Sequence, residues 1–123
     1  MFSIELTNHC NYSCRHCYND SKPENNEFID TNELIGFLNY IEEFDPIIEL
    51  TGGEPLSHPD IRKIIDYCCK NFETVNIITN GSMTKKHDDF ISKYNNLTLL
   101  ISLYSYKRNI WAGLLIQKII LIL

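Results

Sequence analysis

The sequence has no Lys/Arg-rich run and no basic arm, and its 11 basic against 16 acidic residues leave a net charge of −5. A nucleic-acid phosphate backbone is thereby excluded as the main partner, because binding it requires cationic neutralisation. No apolar run reaches the roughly 20 residues that span a bilayer. The start, Met1-Phe2-Ser3-Ile4-Glu5, lacks the charged-then-apolar order of a secretory leader. With an odd count of five cysteines, this points to a reducing compartment, the cytoplasm, and away from a disulfide-built fold. There is also no second ligand pair of the CxxC or HxxxH kind that most zinc sites show. The chain has 123 residues, 44% of them hydrophobic, which is one domain's worth with enough apolar side chain for a core.

Three of the five cysteines fall in one short stretch, Cys10-Asn11-Tyr12-Ser13-Cys14-Arg15-His16-Cys17-Tyr18. A loop can turn three thiolates at this spacing toward one point, and thiolates are soft ligands suited to iron–sulfur clusters, zinc or copper(I). Three cysteines on a four-iron cubane would leave one iron open to a small ligand. Structural zinc is the rival reading, with His9 or His16 as fourth ligand. The remaining cysteines, Cys68 and Cys69, adjoin each other in a predicted helix. Cys68 falls on its apolar stripe and reads as a small buried hydrophobe. Tyr12 and Tyr18 flank the loop and either shield it from water or merely pack.

Residues 2–7 alternate apolar and polar at period two, a strand that runs straight into the cysteine loop. Asp30 is a good N-cap, with Glu33 at capping-box spacing, for a helix to about residue 43 that Asp45-Pro46 ends. Residues 47–51 form a second strand that stops at Gly52-Gly53-Glu54-Pro55. A second helix follows, with Pro59 in its first turn, Ser57 or His58 as cap, and Ile61, Ile64, Ile65, Cys68 and Phe72 as its buried stripe. A third strand over 75–79 ends at Asn80-Gly81. A helix over about 86–93 and a largely apolar fourth strand over 97–103, covered on both faces, complete the pattern. His58 and His87 have no constellation around them beyond a possible cap or a surface position.

Strands alternating with helices give an α/β fold with a parallel sheet and right-handed crossovers. Ligands in such folds bind beyond the C-terminal strand ends. The cysteine loop, Gly52-Gly53-Glu54 and Asn80-Gly81 all belong to that edge. Residues 107–123 stand apart as an atypical apolar tail, interrupted by Gln117-Lys118. It reads either as a last helix capping the sheet or as a truncation or frameshift product.

Taken together, these residues resemble the radical S-adenosylmethionine superfamily. Cys10-xxx-Cys14-xx-Cys17 is similar to its CxxxCxxC signature, Gly52-Gly53-Glu54 to its GGE motif, and Ile78-Thr79-Asn80-Gly81 and Ile101-Ser102-Leu103 to its later landmarks. The resemblance covers about residues 2–105, with residues 1–106 as the N-terminal part of a parallel-sheet partial TIM barrel truncated to about four βα units. It implies that Cys10, Cys14 and Cys17 hold a 4Fe–4S cluster. The amino group of S-adenosylmethionine would meet Gly52, Gly53 and Glu54, adenine the backbone of His16, and ribose Ser102. It implies reductive cleavage of the sulfonium to methionine and a 5′-deoxyadenosyl radical that abstracts substrate hydrogen, fed by an electron donor such as flavodoxin or ferredoxin. The stretches around the cysteines and around Gly52-Gly53 look most like the peptide-modifying members, which makes a peptide the candidate substrate. The competing expectation is a non-catalytic remnant, or a small iron–sulfur or zinc-binding protein.

Overall fold

The computed structural model describes residues 1–13, 20–102 and 119–122. In chain order it has β1 (Phe2–Glu5), α1 (Thr31–Ile41), β2 (Ile47–Thr51), a 3₁₀ turn (Pro55–Ser57), α2 (Ile61–Asn71), β3 (Thr74–Thr79), α3 (Thr84–Ile91), β4 (Leu97–Ser102) and β5 (Ile119–Ile122). The strands lie in the order β1-β2-β3-β4-β5, and every neighbouring pair is parallel. Strands laid down in sequence order with right-handed crossovers put their connecting helices on one face of the sheet.

That face carries the core. Ile48 and Leu50 of β2, Val75 and Ile77 of β3, and Leu97, Leu99 and Ile101 of β4 are all buried against the apolar stripes of the helices. The stripes recur at helical spacing, Leu34, Leu38 and Ile41 on α1 and Ile61, Ile64, Ile65 and Cys68 on α2. Burying a side chain of this kind contributes about 1.5–3 kcal/mol, so this layer supplies most of what holds the sheet. On the opposite face, Asn76, Ile78, Thr98, Leu100 and Ser102 are only half-buried. The expectation of a fourth strand covered on both faces therefore gives way to alternation.

The α1 cap is as expected: Asp30 accepts from the backbone N–H groups of Asn32 and Glu33, at 3.0 and 2.9 Å. The entrance of α2 differs. Pro55–Ser57 forms its own 3₁₀ turn, Pro59 precedes the helix, and Asp60 sits at the N-cap without a side-chain cap bond. Its carboxylate instead accepts from Thr31 Oγ1 at 2.7 Å, tying the starts of α1 and α2 together. His58 takes over at the entrance, where its Nδ1 accepts from the Asp60 N–H at 3.0 Å. The third helix begins two residues earlier than expected, directly after the turn in which Thr84 N–H donates to the Gly81 carbonyl at 3.2 Å.

The four expected strands are all present, and the tail adds a fifth. Reading the tail as a capping helix fails at Ile119–Ile122, which pairs with β4 from Leu99↔Ile119 to Ser102↔Ile122. The physical reason is local: a short run of Ile and Leu fits a pleated surface, and β4 offers it an open row of backbone partners. Among the described residues no helix is long and apolar enough to cross a membrane.

Candidate functional site

The C-terminal end of β1 does not simply stop. Leu6 N–H still donates to the Thr51 carbonyl at 2.9 Å, after which the chain crosses the end of β2. There it meets the glycine turn. Gly53 N–H donates to the Thr7 carbonyl and Glu54 N–H to the His9 carbonyl, both at 2.8 Å. This crossing is why both glycines are needed. A Cβ on Gly53 would lie 2.1 Å from the His9 carbonyl oxygen; one on Gly52, whose φ is +134°, would lie 2.6 Å from the Thr7 carbonyl oxygen. Only a residue without a side chain admits another backbone so close. The close approach read from the glycines is thus realised first within the chain, between the GGE turn and the entry to the cysteine loop.

Glu54 is fully buried. Its Oε1 accepts from Thr79 Oγ1 at 2.7 Å and from Leu56 N–H at 3.1 Å, and its Oε2 accepts from Asn80 N–H at 2.8 Å. Burial raises its pKa, against the pull of the three donors, Thr79 first. The carboxylate bolts the end of β2 to the end of β3. Three of its roughly four acceptor positions are taken by the chain itself.

Cys10 stands beside this bolt, buried at 7% exposure. Its Sγ accepts from Tyr12 N–H at 3.4 Å and from the Asn80 side-chain amide at 3.7 Å. Donors surrounding a sulfur favour its thiolate form, the form that binds metal. The same amide donates to Asn11 Oδ1 at 2.9 Å, and Asn11 Nδ2 donates to Ser82 Oγ at 2.8 Å. Tyr12 is exposed. Ser102 closes β4 on the half-buried face, at the same edge of the sheet. Cys14, His16, Cys17 and Tyr18 lie outside the described residues.

Thr79, Asn80, Asn11 and Ser82 carry contacts that the sequence reading gave no role. The Asn80-Gly81 dipeptide at a strand end was the available signal. Gly81 has φ +80° and so makes the turn that aims Asn80 across the edge. His58 serves as the cap that was one of two offered, and it does so buried, at 4% exposure; His87 is corrected from a surface position to a buried one, at 6%. His58 Nε2 donates to the Ile29 carbonyl at 2.8 Å while its Nδ1 serves α2, so it staples two helix entrances. His87 is met by Arg62 Nε at 3.4 Å, and burial, then the Arg62 and Lys86 cations, lower its pKa. Cys68 is buried in the core, as its place on the stripe predicted, and burial pushes both it and Cys69 up to about 12.

The sequence profile described as the Radical SAM superfamily matches residues 4–120. The chain is 30% identical over 118 residues to the antilisterial bacteriocin subtilosin biosynthesis protein AlbA of Bacillus subtilis (strain 168), covering 95% of this chain and 24% of that protein. It is also 30% identical over 78 residues to the mycofactocin maturase MftC of Mycobacterium tuberculosis (strain CDC 1551 / Oshkosh), covering 63% and 20%. The crystal structure of Streptococcus suis SuiB bound to S-adenosylmethionine superposes with a TM-score of 0.71 at 20% identity, over 82% of this chain and 24% of SuiB. SuiB bound to its precursor peptide SuiA gives 0.72 at the same identity. At that identity the likeness shows the shared fold. The chain spans about a quarter of the length of these proteins.

Proposed function

Because the chain belongs to the Radical SAM superfamily, we propose that its C-terminal sheet edge is the cofactor end of a radical S-adenosylmethionine site. Cys10, Cys14 and Cys17 hold a 4Fe–4S cluster there, and S-adenosylmethionine occupies the iron they leave open. The observation that carries this reading is the position of the Cys10 sulfur. It sits against N–H donors at the edge where Gly52-Gly53-Glu54 ends β2. The fit is chemical: donors around a soft sulfur suit a metal-bound thiolate.

The donors and acceptors at this edge, and the family resemblance, support a division of labour. The Gly52-Gly53 backbone and the remaining acceptor position on Glu54 take the amino group of S-adenosylmethionine, since an amine donates and these groups accept. The His16 backbone meets adenine and Ser102 meets ribose. When bound, the cluster and S-adenosylmethionine supply reductive cleavage of a carbon–sulfur bond to methionine and a 5′-deoxyadenosyl radical for hydrogen abstraction. The chain's own part is to orient these groups, exclude water and hold the cluster at its working potential. A small one-electron donor protein, a flavodoxin or a ferredoxin, supplies the electron. A peptide is the proposed substrate class, supported by the peptide bound in the SuiB structure.

Anaerobic reconstitution with iron and sulfide tests the proposal. The expected result is a reduced-cluster electron paramagnetic resonance signal that changes when S-adenosylmethionine is added. One zinc per chain with no iron would overturn it.

A further inference from the structure

Asn80 has a partner at its backbone N–H and at both polar atoms of its side-chain amide. Its Oδ1 accepts from Ser82 N–H at 2.9 Å and from Ser82 Oγ at 2.6 Å. Two donors on one atom fix which end of the amide is oxygen, and the opposite end must then be the NH₂ group. That group has two hydrogens and two acceptors in reach, Asn11 Oδ1 at 2.9 Å and Cys10 Sγ at 3.7 Å. The backbone is held as well, because Asn80 N–H donates to the buried Glu54 carboxylate at 2.8 Å. Glu54 places the Asn80 main chain, Ser82 sets its amide, and what remains is an N–H aimed at the sulfur.

We propose that Asn80 is a positioning residue that sets the reduction potential of the cluster through its hydrogen bond to the Cys10 sulfur. A donor at a ligating sulfur draws negative charge away from the iron. The reduced cluster carries one more electron, so it gains more from that donor than the oxidised cluster does. The bond therefore raises the potential and eases the one-electron reduction that the proposed chemistry starts from. Glu54 acts in the same sense at one remove, since it holds the Asn80 backbone in register. This inference rests on the cluster-binding reading above. It adds that the end of β3, whose motif had no role, sets how readily that cluster accepts an electron.

The test is a potentiometric titration of the reconstituted full chain followed by electron paramagnetic resonance, with iron content measured on each sample. Asn80→Leu keeps the shape and the backbone bond to Glu54 but removes the amide. Poised at the wild-type midpoint, it should show an oxidised-to-reduced ratio about tenfold higher, which for a one-electron couple is a fall of about 59 mV. Asn80→Asp keeps the acceptor for Ser82 but puts a negative oxygen toward the sulfur, and should fall further. Asn11→Ala removes the neighbouring partner, leaves the N–H on sulfur, and should leave the midpoint in place. An unmoved midpoint in Asn80→Leu at full iron content overturns this inference alone. Equal shifts in Asn80→Leu and Asn11→Ala also overturn it, because they would reflect loosened packing. A wild-type chain that takes up no iron overturns the cluster reading, and this inference with it.

Discussion

Cys10 and Cys68 are the same side chain, both are buried, and they stand in opposite chemistry. Cys10 lies past the end of a strand, where backbone and amide N–H groups converge on its sulfur. Cys68 lies mid-helix among Ile, Leu and Val side chains, and burial pushes its thiol up to about 12. Burial alone therefore does not fix the surroundings of a cysteine sulfur. The deciding quantity is what else is buried with it. Donors stabilise the thiolate, whereas an apolar shell penalises it. The difference follows from architecture: strand ends expose unpaired backbone and gather loops, while a helix interior uses up its own backbone groups.

The comparison breaks most completely by truncation. Cys10→Ala, or Cys14→Ala, is expected to abolish stable cluster binding, while Cys68→Ala keeps full iron stoichiometry and loses only packing. Iron and sulfide assays on the three variants decide this, and retained iron in Cys10→Ala would contradict the assignment of the loop. Next in size is reactivity. At pH 8 a thiol at about 12 has a thiolate fraction about three orders of magnitude below that of an ordinary thiol near 8.5. Iodoacetamide on the folded chain should therefore modify Cys68 and Cys69 far more slowly than it does after unfolding in urea, as read by peptide mass spectrometry.

Smaller effects sharpen the same contrast on the backbone side. Gly53→Ala must push the His9 carbonyl aside, at about 1–3 kcal/mol or more. It should lower both the urea midpoint and iron retention. Glu54→Gln keeps the size but points an NH₂ group at one of the donors now served by a carboxylate oxygen. It should cost about 1–3 kcal/mol, measured by the same unfolding curves. Lys70→Ala, at the exposed i,i+4 pair with Asp66 on the far side of the fold, should change stability by less than about 0.5 kcal/mol.

Much of this was legible in the linear order of residues. The expected second strand fell on the residues of β2, and the period-3.6 pattern marked the buried face of α2, because backbone geometry imposes that period wherever one face is covered. The Asp30 cap was legible because its partners are two and three residues away. The entrance to α2 was legible in part: His58 was one of the two caps offered, but the 3₁₀ turn before it and the pull of the Asp60 side chain toward Thr31, 29 residues distant, were not. The last strand was misread because a short apolar run is ambiguous between helix and strand until a pairing partner is known.

The sequence by itself determined that three cysteines fall within eight residues, that glycine occupies two consecutive positions at a strand end, and that strands and helices alternate. These are matters of spacing and backbone freedom, which neighbours in the chain decide. Only the tertiary structure decided what the glycines accommodate, where the Glu54 carboxylate points, and that Asn80 reaches the Cys10 sulfur from 70 residues away. Those contacts join the ends of separate parallel strands, and their register comes from packing the shared helix layer, a property no local stretch contains.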